Sequence, residues 1–97
     1  MAQFRIDPDG ARAQMGPMSN ENDAMLQSFT SLKKIVDDLD QVWEGDAQQE
    51  FSATFTQIGA KVTELHNLVE EAKVSLGKAA ELYEKTNAEI AKAMQLQ

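Results

Sequence analysis

The chain has no cysteine. That excludes a disulfide framework and a thiolate metal site, so any stability outside a cell must come from packing alone. Aromatic residues make up only 6% and there are two prolines, which argues against a β-sandwich. No apolar run approaches the ~20 residues needed to span a bilayer, so no membrane insertion is expected. Positive charge is scarce too. Nine Lys and Arg stand against sixteen Asp and Glu, for a net charge of −7. A nucleic-acid partner is therefore not expected, nor is an anionic lipid surface. Residues Met1 to Asp7 contain neither an apolar h-region nor a small-residue cleavage site, so if the protein is exported, no cleaved general-secretory signal is expected.

What is present is helical periodicity in 97 residues, one domain at most. A hydrophobic fraction of 42% is too high for a disordered acidic tail. One apolar stripe runs Ala11, Met15, Met18, Asn22, Met25, Phe29, Leu32, Val36, Leu39, Trp43. Its steps alternate four and three, which is a heptad seam with one polar member, Asn22. A polar seam residue of this kind often fixes register. A second stripe runs Ala47, Phe51, Thr54, Ile58, Val62, Leu65, Val69, Ala72, Leu76, Ala79, Tyr83, Thr86, Ile90, Met94, flanked by Phe55 and Ala80.

Boundary signals fit two helices. Asp7 is a good N-cap, and Pro8 suits the first helical position. Gly45 can adopt the left-handed conformation that closes a helix C-terminus. Asp46, with Gln49 three residues on, has the spacing of a capping box for the next helix. The expected layout is an extended arm over 1–6, a helix over 8–43, a turn at 44–46 and a helix over 47–94. Gly16-Pro17 interrupts the first helix and implies either a kink or a late helix start; the seam, unbroken through Met15 and Met18, favours a kink.

The fold class is therefore all-α, an antiparallel helical hairpin. Leu26, Ile35, Leu68, Val74 and Leu82 widen the stripes beyond what two helices cover on each other. Two hairpins forming a four-helix-bundle dimer would bury that surplus, whereas a monomer would leave it in water. The expected hairpin and dimer core is Met25, Phe29, Leu32, Val36, Leu39, Phe51, Phe55, Ile58, Val62, Leu65 and Val69.

Nothing in the sequence marks a catalytic centre, and no cofactor is implied. There is no phosphate loop and no nucleophile elbow, and Ser28, Ser31 and Ser52 have no base at suggestive spacing. His66 has Glu70 at i+4, but one imidazole and one carboxylate do not make a metal site; it reads as a solvated surface residue. Asp37, Asp38, Asp40, Glu44, Asp46 and Glu50 crowd the turn, either as a solvated tip or as a docking end for a basic partner. Trp43 reads as a residue that closes the hairpin end, as an exposed recognition element, or as both.

The turn Trp43-Glu44-Gly45 at mid-chain, amphipathic helices on both sides and Pro8 at the first helix start together resemble the WXG family. These are the small ESAT-like proteins exported by type VII secretion systems, and the resemblance runs from end to end. It implies a helical hairpin that pairs antiparallel with itself or with a related WXG or toxin helical partner. It also implies recognition by a type VII secretion ATPase, with the protein cytoplasmic before export and extracellular after it. The role implied is that of an effector or co-secreted factor, or of an adaptor for a larger toxin. Trp43 and Gly45 would form one half of the secretion signal. The other half is a tail pattern, Tyr-x-x-x-Asp/Glu, which here begins at Tyr83 and has Asn87 at the acidic position. In an antiparallel homodimer Trp43 would lie near the partner's segment from Tyr83 to Met94.

Overall fold

The computed structural model describes residues 5–95. Two helices, α1 (Pro8–Leu39) and α2 (Asp46–Gln95), fold into one antiparallel hairpin. The molecule is a rod of 79 × 23 × 18 Å. The expected extended arm over 1–6 lies mostly outside the described residues.

Helix α1 opens with Pro8 in its first turn and Asp7 at the N-cap position in extended conformation. The Ala11 N–H donates to the Asp7 carbonyl at 2.8 Å. The Asp7 carboxylate itself makes no capping bond, so the cap expected from that side chain is backbone only. The helix runs through Pro17 without a break, which removes the alternative of a late start.

At its other end α1 stops at Leu39, four residues short of the expected 43. The chain then tightens into i→i−3 bonds, Gln41 N–H to Asp38 O and Val42 N–H to Leu39 O. Two physical causes converge here. Asp37, Asp38 and Asp40 oppose the negative end of the helix dipole, and no basic residue lies in the last turn to offset them. The Asp40 carboxylate is in addition held by the Gln48 amide of the opposing helix.

Gly45 does take a positive φ, +120°. Its role differs from the one expected. The Gln49 N–H donates to the Gly45 carbonyl at 3.1 Å, so Gly45 caps the start of α2 instead of closing α1. Asp46 is the first residue of α2 and not its cap. Its charge at the positive end of the helix dipole is favourable.

The inward line of α2 is rotated from the one expected. Among the less exposed residues, Gln48, Ser52, Phe55, Gly59, Val62, His66, Val69, Lys73, Leu76, Ala80 and Tyr83 form an unbroken three–four alternation, with Glu70, Gly77 and Ala79 beside it. Of the expected members up to Tyr83, Val62, Val69, Leu76 and Tyr83 lie on this line, and the others are each displaced by one position. The small residues explain the choice. At Gly59 the ring of Phe29 comes so close that an added Cβ would lie 2.9 Å from its Cζ. Phe29 in turn stacks on Phe55, centroids 5.1 Å apart and rings within 9° of parallel. Near the opposite end Met15 packs over Gly77.

Candidate interaction surface

Rotating α2 in this way leaves its larger apolar side chains facing outward. Phe51, Ile58 and Leu65 are 40%, 46% and 49% exposed. They stand seven residues apart, on one face of the helix. On α1 a matching row, Met18, Met25, Leu32 and Leu39, has the same spacing, with Leu32 and Leu39 exposed. Met18 and Met25 line a shallow groove together with Pro17 and Val69; Val69 stands one helical turn beyond Leu65 on the same edge of α2, which puts the two rows on the same side of the hairpin. Of the expected core, the hairpin encloses Val36 and half-encloses Met25, Phe29, Phe55, Val62 and Val69. Leu32, Leu39, Phe51, Ile58 and Leu65 make up this open face.

The turn carries Trp43 and Gly45. Trp43 stands beyond the end of α1 in the irregular link, not as its last residue. Its indole rests on Phe51, ring centroids 5.6 Å apart at 50°, yet 36% of the residue stays exposed. The acidic residues around it are all exposed.

Tyr83 and Asn87 lie far away on α2. Leu82, Tyr83, Thr86, Asn87 and Ile90 border a single groove. From Ala47 to Tyr83 the helix rises roughly 54 Å at 1.5 Å per residue, so Trp43 and Tyr83 of one chain cannot meet.

Between the helices lies a polar layer that the sequence only hinted at. Asn22 is 4% exposed. Its Nδ2 donates to the His66 carbonyl at 3.0 Å and to Glu70 Oε1 at 3.3 Å. Lys73 Nζ lies 2.8 Å from Glu70 Oε2 and donates to Ser19 Oγ. These bonds, from Lys73 first and Asn22 second, hold the Glu70 carboxyl below its usual pKa. His66 is half-buried in the seam, 3.5 Å from Asp23 Oδ1, and so is not the solvated surface residue expected. Asp23 was missed because sequence alone does not give the register that brings it opposite His66. Further along, Arg12 pairs with Glu84, which raises the Arg12 pKa.

Comparison with known proteins matches residues 3–88 to the model of the family WXG100, described as proteins of 100 residues with WXG. An ESAT-6-like protein of Streptococcus agalactiae is 28% identical over 91 residues, covering 94% of this chain and 95% of that protein. The type VII secretion system extracellular protein A of Staphylococcus aureus is 26% identical over the full length of both chains. Among solved structures, the secreted protein EsxB of Bacillus anthracis superposes with a TM-score of 0.72 at 21% identity, covering 90% of this chain and 99% of that one.

Proposed function

Since this chain belongs to the WXG100 family, we propose that it is a small protein exported by a type VII secretion system as an antiparallel homodimer. It binds and is recognised; it does not catalyse. The observation that carries this reading is the open face formed by Leu32 and Leu39 with Phe51, Ile58 and Leu65. A single hairpin has no use for such a row in water, and a second copy turned about a two-fold axis covers it with the same row. The name of the relative in Staphylococcus, a type VII secretion system extracellular protein, supports export by that route.

In that dimer Trp43 and Gly45 of one chain and the segment from Tyr83 to Asn87 of the other form a composite signal for the secretion ATPase. The distance along α2 supports a signal shared between two chains. A second reading is an adaptor that pairs with the helical segment of a larger toxin. Asn87 favours it, since a partner would then supply the acidic residue that the tail pattern calls for.

The test has two arms. Light scattering of the purified chain should give about twice 10.7 kDa, and Ile58→Asp should halve that mass. A wild-type monomer that melts cooperatively would overturn the homodimer. Trp43→Ala, expressed in a strain with an active type VII system, should stay in the cell pellet while remaining folded. Export at the wild-type level would remove Trp43 from the signal.

A further inference from the structure

One side-chain cluster plays no part in the export reading. Asp23 on α1 and His66 and Glu70 on α2 each bring a ligand atom to a common point, all within 4.8 Å of one another. We propose that these three residues form a zinc-class divalent-cation site that clamps the two helices together.

The spacing supports it. His66 Nε2 and Asp23 Oδ1 are 3.5 Å apart. Two donors each ~2.1 Å from a tetrahedral zinc ion lie about 3.4 Å from each other, so the pair needs no backbone movement to share an ion. His66 and Glu70 are one helical turn apart and project from the same side of α2. An imidazole with two carboxylates suits zinc and its first-row neighbours, whereas calcium and magnesium favour all-oxygen sets.

Asn22 supplies support from behind. It donates to Glu70 and to the backbone of His66, which orients one ligand and pins the segment carrying the other. Lys73 is the competitor, since its ammonium already neutralises Glu70. The site is also reachable. The Asp23 side chain is 65% exposed. Met25, two residues on, projects from nearly the opposite side of α1, so the cluster opens away from the apolar face.

The test is calorimetric titration of the untagged full chain with zinc chloride. Saturation at one zinc per chain is expected, with a melting temperature that rises with zinc concentration. Asp23→Asn and His66→Gln should each weaken binding by more than about tenfold. Lys73→Met should bind more tightly than wild type. The exposure of Asp23 means that Asp23→Asn keeps its fold, which circular dichroism verifies. Absence of saturable binding in the wild type overturns the proposal. So does an affinity unchanged in both ligand variants, which would assign the zinc to the acidic tip.

Discussion

The indole of Trp43 leans on the ring of Phe51 across the turn, centroids 5.6 Å apart and tilted by 50°. One contact thus joins the residue that marks the turn to the first member of the exposed row on α2. Tilted aromatic pairs contribute about 0.5–1.5 kcal/mol beyond their burial. Removing both rings should therefore cost less than the two single losses added together. The expected coupling in a double-mutant cycle of Trp43→Ala and Phe51→Ala is about 1 kcal/mol in urea melts. Each single variant should fall clearly short of the ~3–5 kcal/mol of a fully buried ring. Strict additivity would mean that the two rings only neighbour each other.

Gly59 and Gly77 both lie on the inner side of α2, and they should respond to alanine in opposite ways. Alanine is favoured over glycine in a helix by about 1 kcal/mol. At Gly59 the new methyl would meet Phe29 Cζ at 2.9 Å, and that ring is pinned by its stack on Phe55. Overpacking of this sort costs about 1–3 kcal/mol, so Gly59→Ala should melt below wild type. At Gly77 the neighbour is the end of Met15, 3.3 Å from the added Cβ, a flexible thioether that can give way. Gly77→Ala should melt above wild type. The order of the three melting temperatures decides the matter, and a stabilised Gly59→Ala would show that Phe29 moves freely.

These glycines also explain what the sequence could convey. The hairpin, the seam of α1 and the position of the turn follow from heptad spacing and from Gly45. The facing side of α2 does not. Phe51, Ile58 and Leu65 are the more apolar choice, and hydrophobic patterning selects them. The hairpin instead selects Phe55 and Gly59, because Phe29 needs a ring to stack on and a gap to enter, a property of two helices in register and of neither alone. The early end of α1 has a similar origin, since Asp40 is engaged by Gln48 only once the helices are side by side. The pairing of Asp23 with His66 depends on that register too. Trp43 was legible as a residue with two roles, and its half-exposed ring suits both.

Acid should weaken the hairpin through Glu70. Its carboxyl is held below its usual value by Lys73 and then by Asn22. The folded state therefore binds this proton less readily than the unfolded chain does. The resulting stabilisation is complete above the unfolded value of 4.5. It is lost as pH falls from there through the lower folded value. Glu70→Gln should be less stable than wild type at neutral pH, and the gap should close on acidification. Because the pair is reached by solvent, added salt should narrow the gap as well. Urea melts of both proteins at neutral pH and on either side of the transition provide the check. A gap that persists at low pH would mean that the substitution acts through packing rather than charge.

The tail of α2 should be the first part to open. Arg12 of α1 holds it through Glu84, and every described residue from Glu84 onward is exposed. Ile90 and Met94 are 54% and 69% exposed. Helix at that end rests on its own hydrogen bonds, which are marginal in water without a packed face. Amide exchange should be fast from residue 88 onward and slow between 52 and 83. Raising the protein concentration should slow the tail if the partner's turn comes to lie against it, as the proposed dimer requires. Strong protection of residues 88–95 at every concentration would show that the tail is docked within its own chain.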